Sequence, residues 1–188
     1  MIVFVAGMPR SGSTFTFNIV RSLLQSRGSL HQIPVDSILD AVADTGDVDH
    51  LLVKGHAADE ATMKLVRLGA VKVVCSYRKP EDAVASWMDT FGFTLEDGVY
   101  AMHRWFAMLK GIRTHALLLS YDKIEHDPFG SARAIAAHVC PEASVEEVTG
   151  ICRQFTKERV KLLSERLVKG SDDVADLGFS HYDRNTFF

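Results

Sequence analysis

The first chemically suggestive residues of the chain lie in a glycine-bracketed loop behind a short apolar run. Residues 7–14 have the frame Gly-x-x-x-x-Gly-Ser-Thr, which is the spacing of the Walker A loop. In such a loop, backbone N–H groups surround a phosphate at the start of a helix. Ser13 stands at the position of the Walker lysine, and Arg10 places a cation inside the loop instead. Because transfer of the γ-phosphoryl group of ATP normally needs that lysine, the loop predicts binding of another phosphate ester.

A lysine and a histidine end a second apolar run. Lys54 and His56 are two positions apart, so both point to one side of the chain if the strand continues that far. An imidazole next to a cation suits a general base beside a group that stabilises negative charge. The alternative is an ordinary solvated turn, in which His56 only contacts water.

An arginine and a serine follow a third apolar run. Arg78 stands at its end, Pro80 begins the next helix, and Ser86 comes eight residues after Arg78. A guanidinium at a strand end can hold a phosphate with paired N–H donors, and a hydroxyl on the next helix can add a hydrogen bond. The alternative is a surface arginine paired with Glu81 or Asp82.

Four short apolar runs alternate with segments of helical period, and this order predicts the elements that position these motifs. It indicates an α/β fold of the three-layer, P-loop type, with a mostly parallel sheet, helices on both faces and a helical C-terminal third. We expect 28–50 to be a loop with a small helix over the sheet edge. The predicted strands are 2–6, 51–54, 71–76 and 116–119, and the predicted helices are 13–26, 58–68, 80–90, 98–110, 130–139 and 144–168. Each motif then falls at the carboxyl end of a strand, where open α/β sheets bind ligands.

The composition is that of an ordinary globular protein. With 188 residues, of which 47% are hydrophobic, the chain suits one domain over residues 1–188. A net charge of −3 gives no reason to expect a nucleic acid partner, and we expect no membrane segment or metal site. The three cysteines, Cys75, Cys140 and Cys152, lack zinc-site spacing and predict reduced thiols in a cytoplasmic protein. The oligomeric state is left open.

The order and spacing of the motifs resemble the PAPS-dependent sulfotransferases. These enzymes carry a sulfuryl group from 3′-phosphoadenosine 5′-phosphosulfate (PAPS) to a hydroxyl or an amine. Residues 9–14 resemble the family's 5′-phosphosulfate loop, and 54–56 are similar to its Lys-x-His motif with the catalytic base. Residues 77–82 together with Ser86 resemble its 3′-phosphate motif, and 118–124 are similar to its Leu-x-Tyr-Glu-Asp-Leu segment. The short chain resembles a compact, bacterial or phage-type member.

The resemblance implies a site and a reaction. His56 would be the general base, and Lys54 and Arg10 would stabilise the charge that develops on the donor. PAPS would be the donor and adenosine 3′,5′-bisphosphate (PAP) the product, with a small-molecule or glycan acceptor and no metal. Phe15 would stack on adenine, or else belong to the core. The implied cofactor-binding residues are Arg10, Ser11, Gly12, Ser13, Thr14, Phe15, Arg78, Ser86 and Tyr121.

Two other functions and one open question remain at this point. A small-molecule or nucleoside kinase could use the same scaffold, and a non-catalytic module could bind PAPS or PAP without chemistry. The family's basic, glycine-rich segment near the C-terminus is not recognisable, and Lys169, Gly170 and Arg184 are poor substitutes for it. An aromatic and methionine stripe could line an acceptor pocket or form the buried face of a helix; its members are Tyr100, Met102, Trp105, Phe106 and Met108.

Overall fold

Five parallel strands form the centre of the molecule. The structure is a computed structural model and describes residues 1–156 and Arg159. The strands run in the order β2-β3-β1-β4-β5, and every neighbouring pair is parallel. The predicted α/β fold with a parallel sheet is confirmed. The strands are β1 (Ile2–Val5), β2 (Leu30–Pro34), β3 (His50–Lys54), β4 (Lys72–Tyr77) and β5 (Ala116–Ser120).

Helices cover both faces of this sheet, which confirms the three layers. Helices α1, α7 and α8 pack on the face that carries Val3, Val5 and Leu52. Helices α2, α3, α4 and α5 pack on the face that carries Phe4 and Val53. The helices are α1 (Ser13–Gln25), α2 (Ile38–Ala43), α3 (Glu60–Arg67), α4 (Pro80–Phe91), α5 (Leu95–Ile112), α6 (Tyr121–His126), α7 (Pro128–Val139) and α8 (Val145–Gln154), with a 3-10 turn at Arg113–His115.

The central strand is apolar on both faces because both faces are covered. Val3, Phe4 and Val5 are fully buried, and each such side chain contributes roughly 1.5–3 kcal/mol when it leaves water. Burial at this level holds β1 rigidly between β3 and β4. The loop that follows β1 therefore starts from a fixed point.

Strand β2 corrects the prediction of a loop over 28–50. It pairs with β3 in parallel register, with Gln32 opposite Leu52, at the edge of the sheet. The apolar run is broken by His31 and Gln32. Pro34 has no backbone N–H to donate, and it is tolerated because β2 is an edge strand. The predicted small helix is present as α2, and the Ser37 side chain caps it by accepting from the N–H of Asp40.

Two helix boundaries also differ from prediction. Helix α5 begins at Leu95 rather than 98, because Thr94 and Asp97 form a capping box, and it continues through Gly111 to Ile112. The helix predicted over 144–168 is interrupted, since α8 ends at Gln154. Residues 157–158 and 160–168 of that segment lie outside the described residues, as do Lys169, Gly170 and Arg184.

No helix within the described part of the chain has the length and apolar character that crossing a bilayer requires.

All three cysteines are buried and free. The extent of the domain over residues 1–188 stays a prediction.

Candidate functional site

The predicted motifs meet at the carboxyl edge of the sheet. The glycine loop follows β1, Lys54 ends β3 and His56 comes just after it, Arg78 follows β4, and Tyr121 follows β5. These four strands are neighbours and parallel, so their carboxyl ends lie together. The site is built from loops held by buried strands, which is the usual position for ligands in such sheets.

The loop between β1 and α1 has the shape of an anion cradle. Gly12 caps α1 with φ 80°, in the left-handed region that favours glycine. A Cβ on Gly7 would collide with Ser13 and would lie 2.6 Å from Ser76 Oγ, so the loop closes only around glycine. Arg10 also has a left-handed backbone, with φ 60°. A strained non-glycine residue of this kind is typical of functional loops.

The N-terminus of α1 is left open to an anion. It has no side-chain cap and no acidic residue in its first turn, and its first helical hydrogen bond runs from Thr16 N–H to Gly12 C=O. By contrast, a serine, threonine or aspartate side chain caps each of α2, α3 and α5 to α8. The N–H groups of the first turn of α1 and the helix dipole therefore suit a phosphate.

The hydroxyls of the loop have different roles. Ser11 is fully buried, and its Oγ lies 2.5 Å from the Met8 carbonyl oxygen and 2.8 Å from Ser76 Oγ. Its side chain therefore fixes the loop, and only its backbone can serve a ligand. Ser13 is buried while Thr14 is exposed, so the Thr14 hydroxyl is the accessible one.

The loop after β1 fixes the orientation of the His56 ring. Its Nδ1 lies 2.6 Å from the carbonyl oxygen of Gly7. Since a carbonyl can only accept, Nδ1 carries the hydrogen, and Nε2 of the neutral ring keeps its lone pair. The side chain remains exposed to solvent at part of its surface. Burial of the imidazole lowers its pKa, and the positive charge of Lys54 lowers it further. The hydrogen bond to Gly7 and the negative charge of Asp36 act in the opposite direction.

Lys54 lies near the other end of the same loop, at Thr14. Its Nζ is 3.4 Å from Thr14 Oγ1 and 5.6 Å from the centre of the Phe17 ring. Burial lowers the pKa of the Lys54 ammonium to about 8. The structure thus places His56 and Lys54 at opposite ends of the loop over residues 7–14, the predicted phosphate loop.

Two guanidinium groups complete the site. Arg10 Nε donates to Ser86 Oγ at 3.1 Å, and its guanidinium lies 5.6 Å from the centre of the Phe91 ring. Burial and then the nearby charge of Arg78 lower the pKa of Arg10, while Tyr121 opposes the shift. None of the ion pairs among the described residues includes Arg78, so the alternative pairing with a nearby carboxylate is not observed. Two close cations favour a polyanionic ligand.

One residue of the site was not found in the sequence. Asp36 Oδ1 accepts from the N–H of Ala57 at 3.3 Å, and its Oδ2 accepts from Arg104 at 3.3 Å. A Cβ on Gly55 would lie 3.1 Å from Asp36 Oδ1, so the Asp36 segment presses against the turn that carries His56. The position of Asp36 depends on β2, and no sequence motif identifies Asp36 as part of the site.

The predicted aromatic residues divide between core and site. Phe15 is half-buried and packs against the core under α1, as its alternative interpretation expected. Tyr121 lies against Arg78, 4.3 Å from ring centre to guanidinium carbon. In the stripe on α5, Trp105 is buried with Met102 and Met108, which supports the buried face. Its other two members, Tyr100 and Phe106, are exposed.

No metal cluster is evident in the region that the structure describes. Among residues 1–156 and Arg159, no group of three or more His, Cys, Asp or Glu side chains could hold a metal ion. The expectation that no metal takes part stays a prediction.

Comparison with known proteins gives a likeness of fold. No protein-family model matches the sequence, and the curated proteins contain no match. Retinol dehydratase matches in two complexes, one with androsterone and the inactive cofactor PAP and one with retinol and PAP. The TM-score is 0.65 in both, with 17% and 18% sequence identity over 85% of this chain. Mouse sulfotransferase SULT7A1 complexed with PAP matches with TM-score 0.65 and 15% identity over 90% of this chain.

The matched part covers 65% and 66% of the two retinol dehydratase chains and 69% of the SULT7A1 chain. The chain therefore spans less than two thirds of retinol dehydratase. The fold implied by the resemblance to PAPS-dependent sulfotransferases is confirmed.

Proposed function

We propose that this protein is a PAPS-dependent sulfotransferase that acts on a hydroxyl or an amine. The observation that carries the proposal is His56, whose Nδ1 donates to the phosphate loop itself, at Gly7. This bond leaves Nε2 as a proton acceptor on a ring that is held against the loop leading into α1. The likeness to PAP-bound structures supports the choice of donor.

The residues at the strand ends fit a nucleotide that carries phosphates at both the 3′ and the 5′ position of its ribose. The Gly12 turn, the open N-terminus of α1 and Arg10 fit the 5′ side, where the glycine conformation and the absence of a side-chain cap leave room for an anion. Arg78 follows β4 and Ser86 lies on α4, and both fit the 3′ phosphate; Ser86 Oγ accepts from Arg10 and still has its own O–H to donate. PAPS, when bound, supplies the sulfuryl group and leaves as PAP.

The protein's own groups would handle the proton and the charge. His56 Nε2 takes the proton of the acceptor hydroxyl or amine, a role that typically accelerates a reaction by about 10²–10⁴-fold. Lys54 and Arg10 oppose the negative charge that builds on the leaving side. Preorganised donors of this kind are commonly worth about 10²–10³ in rate each.

The surroundings of Arg10 favour an acceptor with an apolar body. Phe91 lies beside Arg10 and is 39% exposed, and Phe93 is 44% exposed. Trp87 packs edge-on to Phe93 at 5.2 Å. These rings give a contact surface for a small molecule and few polar groups for a glycan. The androsterone and retinol of the retinol dehydratase complexes are of this kind.

We place the enzyme in the cytoplasm. Cys75, Cys140 and Cys152 are buried and none forms a disulfide, which suits a reducing compartment.

The first experiment is calorimetric titration of the full chain with PAP, ADP and ATP, each with and without magnesium. We expect metal-independent binding of PAP, tighter than that of ADP, and a loss of at least tenfold in Arg78→Ala. Truncating a residue that pairs with a buried phosphate costs about 2 kcal/mol or more. Arg113→Ala is the matched control, because Arg113 is exposed in the 3-10 turn before β5. A preference for ATP with magnesium would instead favour the kinase.

The second experiment measures sulfuryl transfer from labelled PAPS to a panel of phenols, alcohols and amines. We expect His56→Gln to abolish transfer while the dissociation constant for PAP stays within about threefold. His103→Gln, at an exposed position on α5, is the matched control. Wild-type binding of PAP without any transfer would favour the non-catalytic module.

A further inference from the structure

Tyr121 is the first residue of α6, directly after β5. The guanidinium carbon of Arg78 lies 4.3 Å from the centre of its ring. This distance is well inside the roughly 6 Å within which a cation is attracted by an aromatic face. The Tyr121 ring therefore holds the charged end of Arg78.

The same ring also lies next to the turn at Gly12. A Cβ built on Gly12 would lie 3.6 Å from Tyr121 Cδ2 and 3.3 Å from the Ile124 side chain. Gly12 is the residue at which α1 begins. Tyr121 thus lies between the start of the 5′-phosphate cradle and the arginine on the neighbouring strand end.

Arg78 needs such a support. Its side chain is only partly buried, and a free arginine loses up to about 2 kcal/mol of rotamer entropy when it is fixed. The charge of Arg10 is close enough to act on it, so the two cations repel each other before an anion binds. Stacking on Tyr121 opposes that repulsion and orders the Arg78 side chain before the nucleotide binds. The entropy lost when the nucleotide binds is therefore smaller.

We propose that Tyr121 is a positioning residue that holds the Arg78 guanidinium at a set place relative to the Gly12 turn. It thereby selects nucleotides that carry a 3′ phosphate as well as a 5′ phosphate. The proposal rests on the proposed function, and it gives Tyr121 a role that acts through Arg78.

The test compares the affinities of PAP and adenosine 5′-phosphate by calorimetry in the wild type, Tyr121→Leu, Arg78→Ala and the double variant. Tyr121→Leu loses the aromatic face and should weaken the binding of PAP about five- to thirtyfold. The binding of adenosine 5′-phosphate should weaken by less than about threefold. In the Arg78→Ala background, Tyr121→Leu should have no further effect on PAP. Tyr121→Phe keeps the ring face and should bind PAP nearly as the wild type does.

A shape-matched probe covers the case in which Tyr121→Leu does not fold. Trifluorophenylalanine at position 121 keeps the ring but withdraws electrons from its face, so it should bind PAP severalfold more weakly than Tyr121→Phe. Equal affinities in these two variants would overturn the proposal. An equal loss for both nucleotides in Tyr121→Leu would also overturn it. A wild type that does not prefer PAP would overturn the proposed function as well, whereas either of the other results leaves that function intact.

Discussion

Replacing Lys54 by arginine should remove the alkaline limb of the pH profile. Burial lowers the pKa of Lys54 to about 8. The ammonium is then about 90% charged at pH 7 and about 10% charged at pH 9. If the charged form is the one that supports transfer, wild-type kcat/KM should fall about tenfold between these two pH values. Lys54→Arg stays charged throughout, so its kcat/KM should be lower overall but level up to pH 9.

The assay is the rate of PAP release from PAPS with an aliphatic alcohol as acceptor, since a phenol would ionise within the range studied. The profile should run from about pH 5.5 to about 9.5, and kcat/KM reports groups of the free enzyme. Because burial lowers the pKa of His56, the acid limb should lie below the usual value for imidazole, with activity lost as the pH falls through it.

Lys72→Arg is the matched control for this prediction. Lys72 lies at the amino end of β4, where its Nζ donates to the Val139 carbonyl oxygen, far from the carboxyl edge. Both limbs should be unchanged in this variant. An alkaline limb that persists in Lys54→Arg, or a wild-type profile with no alkaline limb up to pH 9.5, would refute the assignment of Lys54.

Three further changes test other parts of the site. Ser11→Ala removes the buried hydroxyl that bonds the loop to Ser76. It should lower the free energy of unfolding, measured by urea titration, by about 1–3 kcal/mol. An unchanged urea midpoint would count against this structural role. Gly12→Ala places a Cβ at φ 80° and should cost about 1–2 kcal/mol of stability, together with weaker PAP binding; unchanged affinity would argue against the cradle. Asp36→Asn removes a charge that raises the pKa of His56, so NMR titration of the His56 ring should show a lower pKa, and an unaltered titration would mean that this carboxylate does not act on the ring.

The parallel sheet and the gathering of the motifs could be predicted because both follow from local patterns. Short apolar runs that alternate with helical segments indicate strands buried on both faces, and parallel strands bring their carboxyl ends to one edge. Arg78 could be assigned to the same edge as His56 for this reason alone. Strand β2 could not be found, because its half-exposed edge position permits His31 and Gln32 where a central strand is apolar.

The orientation of individual side chains could not be predicted because it is decided by packing. Ser11 and Thr14 are both hydroxyl residues of one loop, yet one is fully buried and the other is exposed. Asp36 reaches the turn after β3 only because β2 pairs beside it. The contact between Arg78 and Tyr121 joins two strand ends, and no spacing along the chain encodes that distance.

The central place of β1 has a consequence for how the protein is made. Its partners on either side, β3 and β4, come later in the chain, with Val3 opposite Leu52 on one side and Lys72 on the other. At about 5–20 residues per second, the ribosome needs several seconds to produce those partners after β1. During that interval the apolar β1 segment has no sheet to join, and the phosphate loop behind it has no fixed base. The proposed nucleotide site can therefore form only after β3 and β4 have been made.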